Sequence, residues 1–451
     1  MSSTRILVLG SGMVAPPCIE YLLRNEKNTI TVACRTLSTA QTLVRGRARA
    51  KAISLDVTSL AELESQIALH DLVISLVPYI YHVAVIKFAI KHKVNVVTTS
   101  YVSDAIRELD GPAKEAGIVV LNEVGVDPGV DHLYAIKKIS EVHSKGGKIK
   151  EFYSYCGGLP APEHANNPLG FKFSWSPRGA LLSQYNSAHF LSGGEKIEIS
   201  KQDLMGFAKP YFVLDGYNFV AYPNRNSVPF SDFYGIPEAT TVIRGSLRYE
   251  GNPAFVKALI DLGWLDTQHK DWLQAGSSPS WAQVMQKAID AKGSDEQSLI
   301  VRVKEICNFP TETESERIIS GLRWIGLFSN TEATLRGGNL LDTLCAQLEK
   351  ELSYRLGERD LVMLQHKFVV EWADGREETA TSTLELYGDP NGYPAMAKSV
   401  DVTCMIATQL LLDRHRALNV PGVLAPYHED ICDPIRKLLE KEGINMVERV
   451  V

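Results

Sequence analysis

Short apolar runs alternate with amphipathic stretches over the first 125 residues of the chain. Between the runs lie helix-length segments such as 81–92 and 103–116. Short strands that alternate with helices predict a parallel sheet covered on both faces. We therefore expect residues 1–125 to form a Rossmann-type, doubly wound α/β domain. The predicted strands are 6–9, 30–33, 52–55, 72–76, 94–97 and 118–121.

The pattern changes beyond residue 125. Loops rich in Gly, Pro and Asn separate strand-like runs from about 150 to 250, and helical spacing prevails over 253–356. Two alternating strands, 361–372 and 378–387, follow, and a long apolar helix and an amphipathic helix end the chain. We predict that residues 126–392 form an inserted, mixed α/β domain with a helical subdomain. We expect residues 393–451 to return to the first domain.

Composition and charge exclude several classes of protein. The 451 residues are 45% hydrophobic and 22% charged, which is typical of globular domains and not of disordered chains or coiled coils. A net charge of −6 gives no nucleic-acid signature, so any basic site must be a local pocket. We expect no transmembrane helix and no signal peptide. Seven scattered cysteines without a C-x-x-C pair predict reduced thiols, so we expect a cytoplasmic protein that binds neither membranes nor nucleic acids.

A glycine motif follows the first predicted strand. Residues 10–15 read G-x-G-x-x-A and lead into a predicted helix. In that context Gly10 permits a tight turn and Gly12 lets the backbone approach a pyrophosphate. The competing interpretation is a glycine turn in a sheet that binds no nucleotide.

The second strand indicates which nucleotide is bound. NAD-binding versions of the motif carry an acidic residue at its end, whereas this strand ends in Cys34, Arg35 and Thr36. A guanidinium pairs well with a 2′-phosphate, so we predict NADP(H). The competing interpretation is a solvated arginine at a strand end.

Other strand ends should line the same crevice, because ligands bind beyond the carboxyl ends of parallel strands. Hydroxyl side chains at a strand end are otherwise usually caps. The residues concerned are Leu55, Asp56, Ser75, Thr98, Thr99, Ser100, Tyr101, Val126, Asp127 and Pro128.

The middle of the chain offers an anion site. The strand period of two puts Arg244, Ser246 and Arg248 on one face, and Arg225 in a nearby loop is a further candidate. Guanidiniums on one face suit carboxylates; the competing interpretation is a solvated, charged sheet face. No motif for a metal site, a nucleophile elbow or a P-loop occurs, and hydride transfer needs none of them. His132 is typical of a structural histidine and Cys156 of a buried, inert thiol.

Two segments carry a family resemblance that is far more specific than the glycine motif. They are D-P-G-x-D-H at 127–132 and Y-C-G-G-L-P-A-P at 155–162. With them, the chain resembles the fungal saccharopine reductases, the glutamate-forming saccharopine dehydrogenases, over essentially its whole length. The resemblance implies an enzyme of lysine biosynthesis that condenses L-glutamate with L-2-aminoadipate 6-semialdehyde and reduces the product with NADPH to saccharopine. It also implies a homodimer, in which the domain of residues 126–392 binds the substrate and forms the dimer contact.

Site residues follow from the resemblance position by position. The nucleotide contacts it implies are Gly10, Ser11, Gly12, Met13, Cys34, Arg35, Thr36, Leu55, Asp56, Ser75, Thr98, Thr99, Val126, Asp127 and Pro128. The substrate contacts it implies are Thr99, Ser100, Asp127, Arg225, Ser246, Leu247 and Arg248, to which the strand pattern adds Arg244.

Proton transfer has no obvious catalytic pair. Tyr101, Asp127 and Cys156 are the ionisable residues in the matched segments, and one of them could relay a proton. Substrate amines could instead exchange protons with trapped water. We favour the second version, with Asp127 stabilising a cationic nitrogen and the other two tuning the site.

Related reductases provide alternatives. Polyamine-forming enzymes such as homospermidine synthase bind cationic substrates and should show an acidic site in place of Arg225 and Arg248. Bifunctional lysine-degrading proteins should carry an additional large domain. A redox sensor that binds NADP(H) without turnover is a third alternative.

Overall fold

The computed structural model describes residues 3–12, 15–273, 276 and 278–451. The chain divides into two compact units. Unit 1 consists of Met1–Lys150, Asp232–Glu238 and His366–Val451, and unit 2 consists of Glu151–Ser231 and Ala239–Gln365.

Strands and helices are named here in chain order. The strands are β1 (Thr4–Leu9), β2 (Asn28–Cys34), β3 (Ala50–Ser54), β4 (Leu72–Ser75), β5 (Asn95–Thr98), β6 (Val119–Leu121), β7 (Lys148–Pro160), β8 (Ala188–Ser192), β9 (Glu195–Ile199), β10 (Lys209–Pro210), β11 (Phe219–Pro223), β12 (Thr241–Tyr249), β13 (Asp360–Glu371), β14 (Glu377–Tyr387), β15 (Gly422–Leu424) and β16 (Val447–Val450). The helices are α1 (Pro16–Leu22), α2 (Leu37–Val44), α3 (Leu60–Ala68), α4 (His82–His92), α5 (Asp104–Arg107), α6 (Asp110–Ala116), α7 (Val130–Ser144), α8 (Pro177–Ser183), α9 (Phe230–Phe233), α10 (Asn252–Asp261), α11 (Trp281–Ile289), α12 (Glu296–Cys307), α13 (Glu312–Ile325), α14 (Leu340–Glu351), α15 (Ala395–Leu412) and α16 (Glu429–Lys441).

Unit 1 contains a seven-stranded sheet in the order β15-β6-β5-β4-β1-β2-β3. All pairings in it are parallel. The four residues of β4 and the last four of β1 are buried, as a sheet covered on both faces requires. The strand order reverses between β1 and β4, and a doubly wound sheet binds its ligand at such a point. The predicted doubly wound α/β fold is confirmed.

The C-terminal segment contributes to unit 1. β15 pairs with β6, and α15 packs along α1. By length and composition α15 could span a membrane, but 72% of its apolar window is buried inside the fold. That degree of burial is typical of a core helix.

Unit 2 contains strands β10, β11 and β12 and most of β7, and these strands are neighbours in that order. β12 pairs antiparallel with β11 and parallel with β7. The β8–β9 hairpin joins β12 at Val242. Helices α10 to α14 follow in the segment predicted to be helical.

A short segment from the middle of the chain, Asp232–Glu238, belongs to unit 1 although both flanking segments belong to unit 2. The Tyr234 hydroxyl lies 2.7 Å from Nδ1 of His132. Glu238 accepts a 3.2 Å hydrogen bond from the Ile149 amide and lies 2.8 Å from Nε2 of His143. The predicted boundaries at 125/126 and 392/393 stay a prediction.

Candidate active site

The loop after β1 is built around two glycines with different requirements. Gly10 has a φ of +112°, and a Cβ there would lie 3.1 Å from the Leu76 carbonyl oxygen. Only glycine fits this close approach without strain. A Cβ at Gly12 would have no described neighbour within 4 Å, so the backbone is open to a ligand on that side. The glycine loop therefore suits a pyrophosphate, although Met13, the fourth predicted contact, lies outside the described residues.

The end of β2 presents a cation and no carboxylate. Arg35 is exposed beyond the strand. The nearby Asp56 carboxylate accepts bonds of 2.9 and 2.8 Å from the amide and hydroxyl of Thr58. These bonds, with a smaller contribution from the Arg35 charge, hold the pKa of Asp56 below its usual value. The structure shows no hydrogen bond or ion pair of the Arg35 guanidinium among the described residues. An arginine in this setting, with the nearby carboxylate engaged elsewhere, fits a 2′-phosphate better than a ribose hydroxyl.

Hydroxyl groups next to Arg35 are linked to one another. Ser11 Oγ lies 2.8 Å from Thr39 Oγ1, which donates a 2.7 Å bond to the Thr36 carbonyl. The Cys34 thiol donates to the same carbonyl at 3.0 Å. The loops after β1 and β2 therefore form one hydrogen-bonded surface at the predicted nucleotide site.

His82, which the sequence analysis did not single out, joins the ends of β4 and β5. Its Nδ1 lies 2.9 Å from Ser75 Oγ, and its Nε2 lies 2.9 Å from Ser100 Oγ and 3.1 Å from Thr98 Oγ1. The ring is 1% exposed, and this burial lowers the pKa of His82 to about 4. The imidazole is therefore neutral at physiological pH. His82 thus contacts the hydroxyls of three predicted ligand contacts, Ser75, Thr98 and Ser100. Nothing in the local sequence pattern indicates this role of His82.

Tyr101 and Asp127 form a direct pair. The Tyr101 hydroxyl donates a 2.5 Å hydrogen bond to Asp127 Oδ1. Asp127 lies in a loop whose turn requires glycine, because Gly129 has a φ of +148° and a Cβ there would overlap the Gly125 backbone. Gly125 in turn packs against Thr99, where a Cβ would lie 3.2 Å from that of Thr99. The fold thus brings the predicted residues Thr99, Tyr101 and Asp127 together.

Glu123 and His132 form a buried carboxylate–histidine pair. Glu123 Oε2 lies 2.8 Å from Nε2 of His132, and both side chains are nearly inaccessible. Burial raises the pKa of Glu123, but the hydrogen bond and charge of His132 and the Val102 amide outweigh it, so that the net shift is downward. Glu123 is therefore ionised. Both ring nitrogens of His132 have partners, as expected for a structural histidine.

Unit 2 carries the predicted anion site. On β12, Arg244 pairs with Ser154 of β7, and Ser246 pairs with Cys156. Directly opposed residues of neighbouring strands point to the same face of a sheet. Arg244, Ser246, Arg248 and Cys156 therefore share a face, which we call the arginine face. Cys156 belongs to the arginine face because the register of β7 with β12 places it opposite Ser246.

The two arginines are buried, so the interpretation of a solvated, charged face is wrong for them. Arg244 is 3% and Arg248 is 5% exposed. The Arg244 guanidinium lies 4.1 Å from the Phe230 ring centroid, and that of Arg248 lies 5.1 Å from the Phe171 ring centroid. Arg248 Nη1 donates a 2.7 Å bond to the Leu247 carbonyl, while its Nε has no partner among the described residues.

Three further predicted residues of unit 2 differ in setting. Arg225 is exposed, with a φ of +49° in a loop after β11. Leu247 is fully buried, and strand alternation turns its side chain to the face opposite the arginine face. Cys156 is 9% exposed, as expected for a buried thiol. All seven cysteines are free in the structure, and their reduced state stays a prediction.

The remaining predicted contacts in unit 1 contribute backbone and apolar surface. Leu55, Val126 and Pro128 are buried.

No cluster of three or more His, Cys, Asp or Glu side chains suited to a metal ion occurs in the part of the chain that the structure describes.

Comparison with known proteins matches the chain in two parts. Residues 6–121 match the model of the saccharopine dehydrogenase NADP binding domain, and residues 125–444 match that of the saccharopine dehydrogenase C-terminal domain. Saccharopine dehydrogenase [NADP(+), L-glutamate-forming] of Schizosaccharomyces pombe is 53% identical over 448 residues, 99% of each chain.

Solved structures are similar as well. The apo saccharopine dehydrogenase (L-Glu forming) of Saccharomyces cerevisiae is 50% identical, with a TM-score of 0.87 and complete coverage of both chains. The homospermidine synthase of Legionella pneumophila is only 10% identical, with a TM-score of 0.56 over 99% of this chain and 91% of that one. The second likeness concerns the fold alone.

Proposed function

The chain belongs to the saccharopine dehydrogenase family, and from this premise we propose that it is an NADP-dependent, L-glutamate-forming saccharopine dehydrogenase. In the reductive direction the amine of L-glutamate condenses with the aldehyde of L-2-aminoadipate 6-semialdehyde, water leaves, and NADPH supplies the hydride that gives saccharopine. The reverse reaction forms glutamate. The reaction is a step of lysine biosynthesis.

The observation that carries the substrate assignment is the arginine face. Saccharopine has three carboxylates, and a buried guanidinium without a carboxylate partner is costly unless an anion binds it. Arg248 is 5% exposed, and its Nε is unpaired among the described residues. We assign a substrate carboxylate to Arg248 on this ground. Arg244, which shares the arginine face, and the exposed Arg225 are proposed as further substrate contacts.

The residues of unit 1 act on the cofactor and the reacting nitrogen. Arg35 would pair with the 2′-phosphate, and the open backbone at Gly12 would receive the pyrophosphate. The Asp127 carboxylate would stabilise a cationic substrate nitrogen. Tyr101 donates to that carboxylate at 2.5 Å and so orients it. No essential acid–base group is needed if the amine exchanges protons with trapped water.

A single assay tests the function. The purified protein is mixed with L-glutamate, the semialdehyde and NADPH, and absorbance at the nicotinamide band should fall only when all three are present. Lysine with 2-oxoglutarate is the control for the lysine-forming reaction, and putrescine is the control for polyamine formation. Binding of NADPH without turnover of any pair would instead support the redox sensor.

Several properties rest on the resemblance alone. We propose a homodimer in the cytoplasm that binds neither membranes nor nucleic acid. Light scattering coupled to size exclusion tests the dimer, and cell fractionation tests the location. A monomer at micromolar concentration that turns over normally would contradict the proposal of a dimer.

A further inference from the structure

Glu123 contacts the chain on both sides of Tyr101. Its backbone amide donates a 3.2 Å bond to the Ser100 carbonyl, and its Oε1 accepts a 2.8 Å bond from the Val102 amide. One residue thus holds both neighbours of Tyr101. The position of the Tyr101 backbone is therefore set by Glu123.

The same carboxylate closes the loop that carries Asp127. Glu123 Oε2 lies 2.8 Å from His132 Nε2, and Asp127 lies near the middle of the segment between them. An ionised carboxylate can only accept, so His132 is the donor in this bond. Both members of the Tyr101–Asp127 hydrogen bond are consequently anchored to one buried side chain.

The backbone of Glu123 is strained. Its φ is +60°, in the left-handed region that residues other than glycine rarely adopt. Such conformations persist where the surrounding structure imposes them, and they cluster at functional sites. Burying an ionised carboxylate is costly as well. Two unfavourable features thus coincide at a residue for which the proposed mechanism has no direct use.

We propose that Glu123 is a positioning residue, which holds Tyr101 and Asp127 in register so that the Asp127 carboxylate meets the substrate nitrogen. This inference rests on the proposed function. Glu123 itself touches no reacting atom, and it acts through Asp127.

The test is a double-mutant comparison with a matched control. Glu123→Gln keeps the shape and removes the charge, and Asp127→Ala removes the group through which Glu123 acts. The control is Glu238→Gln, because Glu238 also accepts from a backbone amide and lies 2.8 Å from His143, at the other end of α7.

We expect Glu123→Gln to lower kcat about tenfold, which is less than the about 10²–10⁴-fold contribution of a group that itself transfers a proton, and to leave the KM for NADP⁺ within about twofold. The double variant should be no slower than Asp127→Ala, because Glu123 acts through Asp127 and its charge has no further effect on kcat once the Asp127 carboxylate is gone. Glu238→Gln should keep kcat within about twofold. Losses that multiply in the double variant, or equal losses in the control, would overturn the inference.

Hydrogen exchange gives a readout that does not depend on turnover. The Val102 amide should exchange more slowly than the amides of the exposed residues 103–105 in the wild type, and faster in Glu123→Gln. If the wild type does not turn over saccharopine, the proposed function fails. The exchange rates of the Val102 amide in the wild type and in Glu123→Gln still show whether Glu123 anchors the segment around Tyr101. If Glu123→Gln does not fold, wild-type exchange at Val102 as fast as at 103–105 refutes the inference.

Discussion

Replacing Arg248 with methionine tests the arginine face most directly. The substitution removes the charge and keeps an unbranched side chain that can still pack against Phe171 and Tyr222. A charge-assisted hydrogen bond to a substrate carboxylate contributes about 1.5–3 kcal/mol. We therefore expect the KM for saccharopine to rise about ten- to a hundredfold, at 1.4 kcal/mol per factor of ten.

Stability should respond differently from affinity. Breaking a buried ion pair usually costs about 3–5 kcal/mol, because a charge is left unpaired. Arg248 donates to the Leu247 carbonyl and has no carboxylate bonded to it among the described residues. Arg248→Met leaves no orphaned charge, so the free energy of unfolding should change by less than about 1.5 kcal/mol.

The assay combines initial rates over a range of saccharopine concentrations at saturating NADP⁺ with urea unfolding. Arg317→Met is the control, because Arg317 already binds both oxygens of Glu314 and the Gly251 carbonyl. That variant should lose stability on the order of 1 kcal/mol and keep its KM. An unchanged KM in Arg248→Met, or a loss of 3 kcal/mol or more of stability, would refute the reasoning.

Three further variants test other parts of unit 1. Arg35→Ala should raise the KM for NADPH about ten- to a hundredfold and leave that for NADH nearly unchanged; equal losses would contradict the assigned phosphate contact. His82→Gln should raise the KM for saccharopine about fivefold, because it frees the Ser100 hydroxyl. His70→Gln is the control, since it removes a buried histidine bonded to Thr31 and should leave this KM unchanged. Equal effects of the two variants would refute a specific role of His82. Burial raises the pKa of Asp401, which has no hydrogen-bond partner among the described residues, so the folded state keeps a proton that the unfolded state loses. Between these two pKa values wild-type stability should fall by up to about 1.4 kcal/mol per pH unit relative to Asp401→Asn in urea unfolding, and parallel curves would contradict this.

Local patterns were enough to predict the sheet of unit 1 and the features expected of a nucleotide site. Contiguous apolar runs predict strands that are buried on both faces, and the G-x-G motif predicts a glycine at a positive φ, which is Gly10. The absence of a carboxylate beside Arg35 is likewise a matter of adjacent residues. Such properties depend on neighbours in the chain, so local sequence is sufficient to predict them.

Other features depended on contacts between distant segments. Cys156 and Ser246 are 90 positions apart in the sequence, and only the register of β7 with β12 puts them on one face. Sequence periodicity left open whether Arg244 and Arg248 were solvated, because burial depends on what packs above the strand. Tertiary structure alone decided that they are buried.

The buried polar groups show the same division. His82 and Glu123 stand in no motif, yet the first holds the hydroxyls of two strand ends and the second anchors both Tyr101 and the Asp127 loop. The segment Asp232–Glu238 reaches unit 1 from the middle of the chain through Tyr234 and Glu238. A buried polar group must find its partner wherever the fold provides one, at any separation along the chain. The strands of unit 1 and the glycine motif could therefore be read from neighbouring residues, whereas the partners of the buried polar groups depend on how distant segments fold together.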